Sequence, residues 1–453
     1  MAVIAMLTSC GIYGKYTEKT ADDVPQNLFG FETSASDTAS CLGNLSWRHL
    51  FDDPQLQELI DSCLAHNVDM QTAHLHVDEA NAGLTAAKLS YLPSLAFTPN
   101  GALTKYGLYD STGKVYQIPV TAQWQIDAFG LLRNQHLQTE ATRDMMLDAE
   151  QATQTGLIGG VANIYYTLAM LDAQIQIAKE TEQTWKKSVE TMKALKAAGM
   201  SNQAAVSQME AAWYGVQNQI IELEHSRDEV LDALTLLMNE PTGTRRDLHP
   251  LLSSFHYADQ TLSVGIPCQL LHNRPDVRVA ENQLRAACYA DKAATSAFFP
   301  QITITGLFGW TNTDGSNIIN PAFTIAQLVG SLAQPIFARG QLRAQKIAAR
   351  DELQIAEMNF SHKLLEAGTE VSDYLKEVEK ARQESVVYDQ QVAALQKAYD
   401  ATRLTMEYGN TTYLEVLTAQ QSLLQAQLGR VANDCALVQA VINLYTSLGG
   451  GSK

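Results

Sequence analysis

The chain has 453 residues, and 32 basic against 49 acidic side chains give a formal net charge of −17. That balance repels phosphate backbones, so nucleic acid is excluded as a partner. The 46% hydrophobic share allows a real core, yet the 18% charged share is below the ~25% of typical soluble proteins and no run of about 18 apolar residues marks a membrane helix.

The first ten residues are apolar and end Leu7-Thr8-Ser9-Cys10, a pattern similar to a bacterial lipobox that leaves the cysteine as a lipid-bearing N-terminus. The other reading of Cys10 is an ordinary thiol near the chain start, since no Lys or Arg precedes it. The remaining cysteines are scattered and none forms C-x-x-C, so neither a zinc framework nor a dense disulfide scaffold is encoded.

Residues 11–53 read as an irregular N-terminal segment. A helix is expected over about 54–90, followed by period-two strands. In 115–127, Tyr116, Ile118, Val120, Ala122, Trp124 and Ile126 share one face, and Gln117, Thr121, Gln123, Gln125 and Asp127 the other. Segment 94–103 is a weaker partner, which makes a hairpin over 93–127 with a loop at Tyr106–Lys114. From Gly130 to Ala198 no proline occurs, enough for a helix of about 100 Å at ~1.5 Å per residue. A turn near Gly199 leads to a further helix at 201–239. Its apolar seam runs Val206, Met209, Trp213, Val216, Ile220, Leu223, Val230, Leu234, Leu237, with Arg227 the polar exception.

Residues 240–275, broken by Pro241, Gly243, Pro250 and Pro267, read as a connector. The pattern then repeats. Ala280-Glu-Asn-Gln-Leu-Arg-Ala-Ala287 through Phe299-Pro300 matches Ala73-His-Leu-His-Val-Asp-Glu-Ala80 through Leu92-Pro93, and Phe337-Ala-Arg-Gly340-Gln-Leu-Arg343 matches Phe129-Gly130-Leu-Leu-Arg133. Strands at 301–311 and 322–335 form a second hairpin over 300–336. A second unbroken helix spans Gly340 to Tyr408, where Phe360, Leu364, Ala367, Val371, Tyr374, Val378 and Ala381 form its seam. A turn near Gly409 leads to a last helix with the seam Leu414, Leu417, Leu424, Leu428, Val431, Cys435, Val438, Ile442, Tyr445, with Gln421 its only polar member. The chain is thus a tandem duplication, 54–239 and 276–448, with a short tail at 449–453. The class is mainly α, built of long antiparallel coiled-coil helices, with four strands of membrane-spanning length per chain. Four strands cannot close a barrel, for which about eight is the minimum, and an open edge in lipid leaves backbone groups unpaired. Sharing between chains is therefore expected, and three copies make a twelve-stranded α/β barrel tube.

Enzyme motifs are missing. His74-x-His76 lies on a helix where positions two apart do not share a face, and neither H-E-x-x-H, a phosphate loop around Gly113-Lys114, nor G-x-S-x-G occurs. No cofactor is expected beyond a covalent lipid on Cys10.

Trp124-Gln-Ile-Asp-Ala-Phe-Gly130-Leu-Leu-Arg133, Asn273-Arg-Pro-Asp276-Val, Gln334-Pro-Ile-Phe337, Tyr413-Leu-Glu-Val-Leu-Thr-Ala-Gln-Gln-Ser-Leu423 and the ending Asn443-Leu-Tyr-Thr-Ser-Leu-Gly-Gly-Gly451 form an ordered set. With them the chain resembles the TolC-like outer-membrane efflux factors, in the lipoprotein branch with OprM and NodT. The resemblance implies a homotrimer in the bacterial outer membrane, lipid-anchored, with a long periplasmic part. It also implies a passive duct for drugs or other small molecules, coupled through a periplasmic adaptor protein to an inner-membrane pump of the RND type. By the same resemblance, Gly199, Met200, Ser201, Gly409, Asn410 and Thr411 are the adaptor-docking tip turns, though each reads equally as a plain helix reversal. Glu415, Tyr408 and Tyr413 are the candidate periplasmic gate. The family's second acidic gate position is Thr418 here, which puts a double acidic ring in doubt. A structural coiled-coil envelope lipoprotein without a conduit, and a type I protein-secretion duct, are the alternatives.

Overall fold

The computed structural model describes residues 13–20, 23–25, 28–29, 42–106, 111–241, 243–244, 248, 250–256, 269–313, 323–408 and 412–451. Cys10 and the tip residues Gly409, Asn410 and Thr411 lie outside them. In chain order the elements are α1 (Trp47–Leu50), α2 (Pro54–His66), α3 (Val68–Leu89), β1 (Ser94–Phe97), β2 (Asn100–Tyr106), β3 (Ser111–Ile126), α4 (Leu131–Ala197) and α5 (Gln203–Leu237). There follow α6 (Gln269–Asn273), α7 (Pro275–Ser296), β4 (Gln301–Asn312), β5 (Thr324–Ala333), α8 (Gln341–Glu407) and α9 (Tyr413–Ser447).

The duplication is visible in the lengths. α3 and α7 have 22 residues each, α4 and α8 have 67 each, and α5 and α9 have 35 each. The chain divides into two compact units, and each draws on both copies: Met1–Lys19, His74–Ala149 and Asp276–Lys363 in the first, Thr20–Ala73, Glu150–Pro275 and Leu364–Lys453 in the second.

The first unit holds the sheet. All its ladders are antiparallel, in the order β1-β3-β4-β5, with β2 also on β3. β1 and β2 are one strand in register, since Phe97 faces Val120 and Asn100 faces Gln117. Regular strand lapses at Thr98-Pro99 opposite Ile118-Pro119, where two prolines lack the N–H a ladder needs, although the Thr98 amide still donates to the Pro119 carbonyl at 3.2 Å. The expected four strands are therefore present as an open sheet. Their limits differ from the periodicity: the first strand extends to Tyr106 and β3 begins at Ser111, so strand replaces much of the expected Tyr106–Lys114 loop. Gly309 lies opposite Pro119, and a Cβ there would come 2.2 Å from the Ile118 carbonyl oxygen, so only glycine fits the approach.

Beside the sheet, Asp127 caps α4 by accepting from the Leu132 and Arg133 amides at 3.1 and 2.8 Å. α4 is tied to α7 by ion pairs Arg285–Asp144 and Arg278–Asp148, the latter at 3.1 Å, and Asn282 donates to Asp148 at 2.7 Å. The two junction motifs that matched in sequence differ in surroundings. Phe129 stacks on Phe299 at 5.3 Å, whereas Phe337 is 84% exposed and Ile336 97%.

The second unit holds the aromatic core, with Tyr165, Tyr166, Trp185 and Tyr445 almost fully buried. The helix expected over 54–90 is two helices here, because Asn67 breaks it. Its side-chain oxygen accepts from the Asp69 and Met70 amides, and its amide nitrogen donates to the Leu237 carbonyl at 2.8 Å. The glycine tail packs at very short range: a Cβ on Gly449 would fall 2.3 Å from the Asn273 carbonyl oxygen.

The seams on α5 and α8 bury as expected, with Val206, Met209, Val216, Phe360, Leu364, Ala367 and Val371 all inside. The polar exception on α5, Arg227, is paired with Asp172 of α4. The α9 seam needs correction. Leu414 is exposed and Gln421 faces outward, while its neighbour Gln420 is buried. The cause is that α9 is covered on two flanks. Val416 and Leu423 pack with Tyr399 of α8, and Tyr413, Leu417, Leu424 and Leu428 pack with Trp185 of α4 and Val206 and Met209 of α5. Two buried flanks offset by one position shift the outward stripe to Leu414, Thr418, Gln421 and Gln425.

Candidate functional site: an apolar sheet face and a helical tip

Strand pleating turns alternate residues to opposite sides. The registers place Leu95, Val120, Phe308, Leu328 and Leu332 on one face of the sheet, with Trp124 and Ile304 beside each other on the same face. Leu328 is 78% exposed and Leu95 73%, with Phe97, Leu103, Leu332 and Phe308 also open. The opposite face carries Gln117, Thr121, Gln123, Thr303, Thr305, Gln327 and Ser331. An exposed apolar band backed by a polar face is what a strand sheet needs when lipid lies on one side and water on the other. The strand residues Leu328 and Leu332 were legible only as a weak alternation; the register against β4 joins them to Phe308 and Ile302 on one surface. Among the described residues, no helix is long and apolar enough to cross a membrane.

In the second unit, α4 and α5 form a hairpin whose reversal is made by the predicted tip residues. Gly199 has φ +75°, its amide donates to the Lys196 carbonyl at 2.9 Å, and the Met200 amide donates to the Leu195 carbonyl at 2.8 Å. These two bonds are a Schellman stop, which uses a left-handed residue to satisfy the helix's last carbonyls. Asn202 then caps α5 by accepting from the Ala205 amide at 2.9 Å. Met200 is 77% exposed, whereas Ser201 donates to the buried Met192 sulfur at 3.0 Å. Ion pairs Lys193–Glu210 and Lys179–Glu224, both at 2.7 Å, run between the two helices. Trp213 Nε1 donates to Glu182 at 2.6 Å.

The candidate gate residues are spread around the same end of the unit. Tyr408 follows α8 and is exposed. Glu415 is in the first turn of α9 and exposed, with Thr418 exposed one turn on. Tyr413 is the best anchored: its ring packs on the Trp185–Met209 cluster and its hydroxyl donates to Gln208 Oε1 of α5. The structure therefore brings Tyr413 to the first tip hairpin. Gln208 had no signal in the sequence, since its partner is 205 positions away.

Comparison with known proteins matches this architecture. The family described as outer membrane efflux protein matches residues 59–240 and again 266–450, once for each copy of the duplication. The cation efflux system protein CusC of Escherichia coli O6:H1 is 28% identical over 453 residues, covering 99% of this chain and 97% of its own. The probable outer membrane lipoprotein SilC of Salmonella typhimurium is 27% identical over 469 residues, covering 100% and 98%. A crystal structure of CusC superposes with a TM-score of 0.85 at 26% identity, covering 96% of this chain and 99% of that one. The chain belongs to the outer membrane efflux protein family.

Proposed function

We propose that three copies of this chain form one passive trimeric duct in the bacterial outer membrane, through which small molecules leave the cell. The observation that carries the reading is the open sheet with a bare apolar face. An apolar surface of this extent is stable against lipid, and its two free edges are satisfied when neighbouring chains supply the missing strands. Twelve strands close a barrel that four cannot. Exposed Ile336 and Phe337, a few residues beyond the edge strand β5, supply further apolar surface for the neighbour to cover.

In this reading the tip turns at Gly199 and at Gly409–Thr411 receive a periplasmic adaptor, and an RND-type inner-membrane pump drives transport and selects the cargo. Glu415, Tyr408 and Tyr413 line the closed end, as one acidic ring rather than two, because Thr418 carries no charge. Cys10 carries the lipid; the relative SilC is named as a lipoprotein, which supports that assignment. Drugs and other small organic molecules are the expected cargo class, and CusC, named for cation efflux, makes metal ions the other class to assay.

The deciding experiment reconstitutes the full chain in planar lipid bilayers, as wild type and as Glu415→Ala. Single-channel current that rises in the variant is expected. A trimeric particle that passes no current in either form would leave a structural spacer lipoprotein as the better reading. Fatty-acid labelling is expected on the wild type and lost in Cys10→Ser; persistent labelling would move the anchor elsewhere.

A further inference from the structure

Resting on the trimeric reading above, we infer the residue-by-residue register of the seam between neighbouring chains: β5 of one copy pairs antiparallel with the β1–β2 strand of the next, with Ser331 opposite Asn100 and Leu328 opposite Leu103.

The inference comes from the duplication. The two hairpins have one register, once the first strand is advanced by 207 positions and the second by 210. Thr121 opposite Ala96 becomes Ser331 opposite Thr303, and Val115 opposite Ala102 becomes Ile325 opposite Gly309. The pairs of the first hairpin from Ser94 opposite Gln123 to Leu103 opposite Lys114 all map onto observed pairs of the second in this way. Between the hairpins, β3 pairs with β4, so the chain already contains one copy of the step that joins hairpin to hairpin. Repeating that step moves β3 to β5 and moves β4 back to β1–β2. Thr121 opposite Leu307 then becomes Ser331 opposite Asn100, and Ile118 opposite Trp310 becomes Leu328 opposite Leu103.

A second observation tests the parity of this register independently. Leu328 and Leu103 both lie on the apolar face, 78% and 71% exposed in the single chain. Ser331 and Asn100 belong to the polar face. The inferred pairing therefore joins apolar to apolar and polar to polar, whereas a slip of one residue would turn every side chain to the wrong side. The contact is head-to-tail, a different edge on each partner, and such contacts close into rings when the rotation allows. It also removes both free edges, whose unpaired backbone groups find no hydrogen-bond partner in hydrocarbon.

Directly opposed residues in an antiparallel pair are about 4.5–5.5 Å apart at Cα, within disulfide reach, while a slip of two residues gives about 7–8 Å, beyond it. The test expresses the full chain in outer membranes as Ser331→Cys/Asn100→Cys, with Gln327→Cys/Thr104→Cys as a second pair and each single variant as a control. After oxidation, non-reducing gels are expected to show covalently closed trimers for both double variants and none for the singles. Closed trimers from Ser331→Cys/Thr98→Cys or Ser331→Cys/Ala102→Cys instead would overturn the register. So would a particle of trimeric native mass in which neither matched pair cross-links. A monomeric native mass would overturn the trimeric reading itself, and with it the seam.

Discussion

Arg274 and Glu370 form an ion pair at 2.7 Å in which the arginine side chain is 6% exposed and the glutamate 39%. The same guanidinium donates to the Ser447 carbonyl at 3.0 Å, near the C-terminal end of α9. The Asn273-Arg-Pro-Asp276 motif is thus a clamp on the last helix. Arg274→Met is expected to cost about 1.5–3 kcal/mol, the range for hydrogen bonds to charged groups, because it strands a buried carbonyl. The half-open carboxylate can rehydrate, so Glu370→Gln should cost clearly less. Thermal unfolding in detergent, followed by circular dichroism, checks the order; equal losses would remove the clamp from Arg274.

Gly199 and Gly449 are both left-handed, with φ +75° and +83°. Nothing lies within 4 Å of an added Cβ at Gly199, while at Gly449 it collides with the Asn273 backbone. Gly199→Ala should therefore cost only the conformational term, about 1–2 kcal/mol. Gly449→Ala should cost that and the collision besides. Chemical denaturation of the two variants side by side measures the difference, and equal destabilisation would mean the tail can move aside.

The long helices were legible because proline-free stretches and seams of 3.5-residue spacing persist over many turns. The α9 seam was misassigned at Gln421, since a helix buried on two flanks carries two overlapping apolar stripes and one sequence cannot separate them. Asn67 was hidden because neither proline nor glycine marks a break within 55–82; its role depends on the distant Leu237 carbonyl. The edge strand β5 read weakly because its outward residues mix Leu328 and Leu332 with Gly330, and only pairing with β4 assigns its faces. At the tip, Gly199 could be read from its chemistry, but the hydrogen bond from Tyr413 to Gln208 is a product of the tertiary fold.

Burial raises the thiol of Cys63 to about 11 and that of Cys435 to about 12, the latter helped by the charge on Asp434. Both are held neutral in the fold, while in the unfolded chain they ionise near the ordinary value of 9.0. Folded values above unfolded ones mean full stability below pH 9 and a progressive loss as pH rises through 11 to 12. Each thiol should contribute a slope of about 1.4 kcal/mol per pH unit in that window. Denaturation between pH 8 and 11 should show the decline, and Cys435→Ala should flatten it. An unchanged slope in that variant would assign the alkaline loss to other groups.

Tyr413 at the start of α9 donates to Gln208 on α5, so this hydroxyl ties the candidate gate helix to the first tip hairpin. An exposed hydrogen bond of this kind contributes about 0.5–1.5 kcal/mol, which at its midpoint is roughly a fivefold change in a two-state equilibrium. Tyr413→Phe keeps the ring on the Trp185–Met209 cluster and removes only the hydroxyl. If one copy opens alone, the open fraction should rise about fivefold; if three copies open together, the free energies add and the rise should be about a hundredfold. Gln208→Ala should give the same increase, and the double variant no more than either single, because both changes remove one interaction. Open probability in planar bilayers measures all three. Additive increases would mean that the two residues act through separate contacts, and no increase in either would leave closure to the packing of Leu417 and Leu424 against α4.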